Sequence, residues 1–208
     1  HFSIACLLGM LVACALAVAM VGSWAREHVL DQGTKANADL ATVFANGAWI
    51  EHGDDIRRAS ELAPDDLRAS DAVANLHRHT LDHMRGTAVV KIKLYRLDGL
   101  TLFSTDPKQI GAIAAGNHGI KAAALGRIAS TLTHRDTFDA FEGTLEDRDV
   151  LASYVPMRAT AGGRVEAVLE IYSDVTGMLA TLERAQWRVA ASVASVLLLL
   201  YAFLFLVV

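Results

Sequence analysis

VVKIKLYRLDGLTLFST, residues 89–105, is the stretch that decides the fold. β-Branched and aromatic residues dominate two short runs, and Asp98-Gly99 stands between them. A two-residue Asp-Gly loop is a strong hairpin signal, because a type I′ turn needs positive φ at both of its central positions. Such a loop places Leu94 opposite Phe103, with Val90 and Ile92 on the same face.

Outward from this hairpin the pattern stays β-rich on the C-terminal side. RIASTLT (127–133), DVLASYVPM (149–157) and RVEAVLEIY (164–172) each alternate apolar and polar residues, and RATAGG (158–163) suits the loop between the last two. NHGIKAAALG (117–126) reads as a short helix with Asn117 as N-cap and Gly126 just past its end. On the N-terminal side the period becomes helical. Val29, Gly33, Ala36, Leu40, Val43, Gly47 and Ile50 recur at spacings of three and four. Gly53-Asp54-Asp55 reads as a break, and Pro64-Asp65-Asp66 as the start of a helix reaching about Met84. The expected class is therefore α+β: about five largely antiparallel strands with helices grouped at the front.

Two apolar runs bracket this region. Phe2–Trp24 and Val189–Val208 carry no charged side chain, and all 19 Lys and Arg and all 23 Asp and Glu lie between them. Each run is long enough to cross a bilayer as a helix. Trp24 with Arg26, and Trp187 with Arg188, sit where interfacial anchors belong. A cleaved signal peptide is the alternative reading of the first run, with Leu11–Cys14 as a processing box, but the run is longer than a signal core and continues apolar past Cys14. Both cysteines, Cys6 and Cys14, fall in it, so the middle region has no disulfide. A net charge of −4 points away from a nucleic-acid partner. His1 and the end of the chain inside an apolar run are read as marks of a fragment, with an output module expected after Val208.

LDGLTLFSTDPKQIG, HRDTFDAFEG, EDRDVLASYVPMR and EIYSDVTGMLATLE, in this order and ahead of an apolar helix, resemble the extracytoplasmic sensing region of bacterial transmembrane receptors with a Cache-type, PAS-like domain. These are sensor histidine kinases and diguanylate cyclases. The resemblance runs over roughly 89–188. It implies a periplasmic PAS-like domain with a central antiparallel sheet, held at the inner membrane, and a cytoplasmic output module. The amino-acid-binding signature of two-module Cache receptors is not evident. The resulting division is 2–24 first transmembrane helix, 25–84 helical stalk and front helices, 85–175 sensor domain, 176–188 exit helix and 189–208 second transmembrane helix.

Within that frame the candidate ligand residues are His134, Arg135, Tyr154, Tyr172 and Asp174. Arg135 can hold a carboxylate or phosphate bidentately. Tyr154 and Tyr172 lie on two later strands, where they can line one pocket with polar groups in an apolar wall. Asp174 stands before the exit helix, where it or Thr176 can serve as the cap, and Asp174 would join ligand to helix if it touched both. His79 and His83 in HRHTLDH are one helical turn apart, a zinc-compatible spacing near His77 and Asp82. Histidines on a polar helix face are usually solvated, however, and no metal site is assigned. EDRD (146–149) reads as a solvated turn. No nucleophile elbow, phosphate-binding glycine loop or HExxH motif occurs, so no catalytic residue and no cofactor are expected in this stretch.

Two function classes fit. The first is the sensing part of a receptor. Its partners would be the lipid bilayer, a small ligand of anionic character and a second copy of the chain, and ligand binding would alter the packing of the second membrane helix. The alternative is a membrane-anchored periplasmic interaction domain with no signalling output. Val175, Met178, Leu182, Ala185 and Val189 form a seam at spacings of three and four that suits a partner helix, and no Gly or Pro separates it from the apolar run.

Overall fold

The computed structural model describes residues 2–114, 116–158 and 162–207. Residues 159–161 of the RATAGG loop lie outside these, as do the side chains of 2–8. Two compact units emerge, 30–176 and a second made of 1–29 with 177–208.

In the larger unit the hairpin strands are β1 (Val89–Tyr95) and β2 (Thr101–Ser104), and β3 (Ala129–Ala140), β4 (Gly143–Arg158) and β5 (Val165–Asp174) complete the sheet. All neighbouring pairs are antiparallel, in the order β2-β1-β5-β4-β3, which puts β5 in the middle. Leu94 faces Phe103, as the Asp-Gly signal implies. The turn itself is one residue longer than a type I′ loop. Arg96 N–H bonds to Leu100 O, Gly99 N–H bonds to Arg96 O, and of the two loop residues only Gly99 has positive φ, +96°. This is the three-residue form with glycine in the left-handed position. The shift at Leu94/Tyr95 absorbs the extra residue, so the register beyond it is unchanged.

The helices before the sheet are α1 (Phe2–Phe44), α2 (Ile50–Ala59), α3 (Pro64–Ala69) and α4 (Asp71–Met84). The Pro64–Met84 segment is two helices. Ser70 is extended between them and its hydroxyl accepts from Val73 N–H, capping α4. No break occurs at Gly53. Its bare Cα lets the Trp49 ring lie against it, where a Cβ would be 2.9 Å away. What interrupts the α-helical ladder is a π-helical turn at Ala45–Trp49. The face of α1 turned to the sheet includes Gly33, against Leu151, with Asn37, Ala41 and Phe44, and Leu40 packs beside it, whereas Val43 and, on α2, Ile50 are exposed. The apolar stripe thus holds in part, and what it lacks is the polar residue that seats the helix.

That residue, Asn37, is buried. Its amide donates to Ser153 Oγ at 2.9 Å, and Ser173 Oγ donates to its carbonyl at 2.6 Å. Ser130 Oγ in turn donates to Ser153 Oγ. The bonds tie α1 to β3, β4 and β5. Around them Phe44, Trp49, Ile56, Leu67 and Leu76 close over Ile92, Leu94, Phe103, Leu169 and Ile171 to form the main core.

The other face of the sheet carries α5 (His118–Ala124). Asn117 caps it, accepting from Gly119 and Ile120 N–H, and Gly126 follows at φ +82°. Ile120 and Ala123 cover Tyr95 and Val168 in a second, smaller cluster.

In the smaller unit, α6 (Thr176–Val207) starts one residue after β5 and runs through the apolar segment unbroken. Among the described residues its Thr176–Phe203 portion is the one stretch long and apolar enough to cross a bilayer. Gln186 Nε2 donates to Val18 O of α1 at 2.7 Å, and the missing Cβ of Gly22 leaves room for that amide.

Replacing Asn37 by Ala strands the buried Ser173 hydroxyl and leaves Ser153 Oγ with Ser130 alone. The expected loss is about 1–3 kcal/mol, read from urea unfolding of the full chain in micelles. A loss below about 0.5 kcal/mol would show that the serines re-pair without it.

Candidate functional site

Along β5 the side chains alternate strictly. Ala167, Leu169, Ile171 and Ser173 face the main core, while Val168, Glu170, Tyr172 and Asp174 face the α5 side. Antiparallel pairing then sets two rows across that second face. Lys93, Glu170 and Tyr154 form one row, and Lys91, Tyr172 and Ala152 the next.

Glu170 is the centre of this face, with a side chain only 1% exposed. Tyr95 OH donates to its Oε2 at 2.7 Å, and Lys93 Nζ is 3.9 Å from the same oxygen. Oε1 is buried and makes no hydrogen bond of normal geometry among the described residues, while the Tyr154 and Tyr172 hydroxyls also interact with this carboxylate. Lys93 Nζ also lies 5.4 Å from the Tyr172 ring centre, and Lys91 Nζ 4.8 Å from that of Phe138, whose ring in turn meets Tyr172 at 5.3 Å. On the α5 side, Asn117 Nδ2 donates to Tyr154 OH at 2.9 Å. Gly119 makes this approach possible, since a Cβ there would stand 2.2 Å from the Tyr154 ring.

The electrostatics follow from burial. Tyr95, Tyr154 and Tyr172 all have phenols pushed well above the ordinary value, first by desolvation and then by the Glu170 charge. They remain neutral donors. The Arg135 charge works against the rise at Tyr154 and Tyr172. Lys91 is pushed down by burial and by its neighbour Lys93, with Asp106, Asp139 and Glu170 opposing.

Of the residues singled out in the sequence, Tyr154 and Tyr172 lie together on this face, and Arg135 is within electrostatic range of both. Arg135 is exposed and makes no hydrogen bond or ion pair with the described residues. His134, the next residue on β3, is held elsewhere. Its Nδ1 is 3.1 Å from Asp149 Oδ1, and Nε2 is 3.4 Å from Asp147 and 3.8 Å from Asp136. Asp174 Oδ1 accepts from Thr176 N–H at the start of α6, and Arg148 lies 3.7 Å from its other oxygen. EDRD belongs to β4 rather than to a turn, with Asp147 at φ +54°. Glu170, Lys91, Lys93 and Tyr95 were not anticipated, and Asn117 was anticipated only as the cap of α5. Charged residues alternating with aliphatic ones, as in VVKIKLY, read as a solvated strand face until α5 and the β3–β4 hairpin are seen beside it.

No family model matches the sequence, and no curated relative does. Solved structures do match. The periplasmic domain of RsbU from Chlamydia trachomatis superposes with a TM-score of 0.51 at 16% identity, over 84% of this chain and 56% of that one. The sensor domain of E. coli DcuS gives 0.44 at 13% identity, over 75% and 98%. The domain of a putative sensory box/GGDEF family protein from Vibrio parahaemolyticus gives 0.38 at 14%, over 74% and 64%. The chain thus spans little more than half of the RsbU chain. The likeness to RsbU is one of fold.

The phenols give a test. Their folded values lie above the unfolded value near 10, so the stability they contribute is complete below about pH 10 and lost as pH rises beyond it. Phenolate absorbance of Tyr95, Tyr154 and Tyr172 is therefore expected to appear in one cooperative step together with unfolding. Independent ionisation of all three near pH 10 in a folded protein would contradict the burial described.

Proposed function

We propose that the chain is the sensing and membrane-anchoring part of a bacterial receptor, placed with 30–176 in the periplasm and its apolar helices in the inner membrane. The observation that carries this reading is Glu170. A carboxylate buried on the middle strand, with one oxygen lacking a hydrogen bond of normal geometry and ringed by neutral phenols and two lysines, is a costly feature for a face that serves only as core. It becomes useful if a small molecule completes it. The same strand leads after one residue into α6.

The ligand of this reading is a small anion that also bears a hydrogen-bond donor. Its acidic group would lie against Lys91, Lys93 and Arg135, its donor would satisfy Glu170 Oε1, and Tyr154 and Tyr172 would form the wall. Binding would shift β5 against its neighbours, and α6 would pass the shift to an output module, a diguanylate cyclase or a histidine kinase, after Val208. The exposed row Val189, Val196, Leu199, Phe203 and Leu206 would face a second copy of the chain.

The ligand is tested on the full chain in micelles by thermal shift against a panel of small carboxylic acids and amino acids. At least one should raise Tm, and Glu170→Gln and Arg135→Ala should each weaken its binding tenfold or more, as expected for lost charged partners. A panel with no effect, or a ligand bound equally by Glu170→Gln, would overturn the assignment.

Transmission is tested separately, in the full-length protein, by insertions after Glu183. One residue turns everything beyond it by about 100°, whereas seven return it to within about 20°. The single insertion is expected to lock or abolish output and the seven-residue insertion to restore much of it. Equal behaviour of the two would make α6 a tether.

A further inference from the structure

A second cluster lies on the helical side of the larger unit, away from Glu170. Glu51 and His52, consecutive on α2, meet His79 of α4. One ligand atom from each lies within 4.8 Å of the other two. His52 Nε2 is 3.8 Å from Glu51 Oε1, and His79 Nδ1 is 4.0 Å from Glu51 Oε2. These separations are too long for hydrogen bonds. The two imidazoles meet edge to face, with centres 5.6 Å apart. Glu51 is well exposed, and its carboxylate has no other partner among the described residues.

The local structure explains the convergence. The π-helical turn at Ala45–Trp49 ends just before the pair and resets the phase of the helix. Trp49 and Ile56 then go into the core, and His52 is left at its margin, facing α4. His79 is held in place by His83, which stacks on it at 4.4 Å while its Nδ1 lies 2.8 Å from His79 O. The zinc-like spacing of His79 and His83 therefore has a different result from a two-histidine clamp within one helix. His83 backs the ring, and the partners of His79 come from α2. His77 is apart from all of them, against Phe103 and Thr105 O.

We propose that Glu51, His52 and His79 form a site for a zinc-class divalent cation, which ties α2 to α4. Two imidazoles and one carboxylate are a donor set that suits zinc and its neighbours rather than calcium or magnesium. Three protein ligands leave a fourth tetrahedral position for water. Bonds of about 2.0–2.1 Å put tetrahedral ligands about 3.3 Å apart, so the present triangle must close by no more than about 1.5 Å. Rotation of the exposed Glu51 side chain can close the two sides of the triangle that it makes, and small ring rotations of His52 and His79 must close the third. The imidazoles coordinate in their neutral form. The site is independent of the proposed ligand at Glu170, and neither needs the other.

The test uses the untagged full chain in micelles at neutral pH, with Zn2+ itself as probe, titrated in competition with a chromophoric chelator. The expected result is one ion per chain at micromolar affinity or better, with a rise in Tm. His52→Gln and His79→Gln should each weaken binding at least tenfold, and His77→Gln should leave it unchanged. Should a histidine variant fold poorly, Glu51→Gln, at an exposed position, carries the same test and should also lose the Zn2+-dependent rise in Tm. Co2+ in place of Zn2+ should give the visible absorption of a tetrahedral site in the parent and lose it in His52→Gln. No stoichiometric binding, or binding that survives His52→Gln and Glu51→Gln, would overturn the proposal. So would loss on His83→Gln with retention in His52→Gln, because that pattern places the ion between His79 and His83 alone.

Discussion

The carboxylate of Glu170 sits at the middle of the middle strand, and much of the larger unit is arranged around the consequences. Taking a carboxylate out of water costs several kcal/mol even after relaxation. Tyr95 OH and Lys93 offset part of that at Oε2. They also fix what can surround it. Phenols beside a buried negative charge stay protonated, and lysines beside it keep an acceptor in reach. An apolar helix could not be laid flat over such a face. α5 covers only one end of it, through Ile120 and Ala123, and the β3–β4 hairpin brings Phe138 to the other. The helical face of the sheet obeys the opposite rule. There the side chains are aliphatic or aromatic, and the polar exceptions, Asn37, Ser153 and Ser173, satisfy one another.

The helices are set by a comparable constraint. α1 needs a polar residue at its point of contact because the sheet presents serines there, and beyond Phe44 its continuation has to reach a different part of the core. One π-helical turn makes that adjustment without a loop. Trp49, the last residue of that turn, and Ile56 on α2 can then be buried, although Phe44 and Ala41 are buried on α1 in another phase.

The sequence made the hairpin, the α5 caps and the antiparallel class readable, because each rests on local chemistry: Asp-Gly, an Asn N-cap and a two-residue period. Gly53 and Pro64–Met84 were less transparent. A glycine followed by two aspartates reads as a break only if nothing needs the space, and here Trp49 does. Ser70 reads as an ordinary helix residue until the α3–α4 bend makes it a cap. At the site, Tyr154 and Tyr172 were visible as aromatic residues in alternating strands. Glu170 was not, because VEAVLEIYSD is equally consistent with an acid facing water. Only the central position of β5, a result of long-range pairing, buries it.

The start of α6 shows how that central position bears on the helix that follows. Val175 N–H bonds to Asp149 O, and Asp149 N–H bonds to Thr176 Oγ1 at 2.9 Å, so a single β4 residue grips both residues after β5. Asp174 adds a third bond by accepting from Thr176 N–H. Val175 is itself buried. The joint is therefore fastened to two strands and not only to the one it continues. A sliding of β4 against β5 cannot leave Thr176 in place unless these bonds break. Two of them involve Asp149, whose carboxylate is also held by His134. Tyr154 and Tyr172 stand on those same two strands, so any molecule wedged between the two rings would act on the pair of strands that hold the first residue of α6.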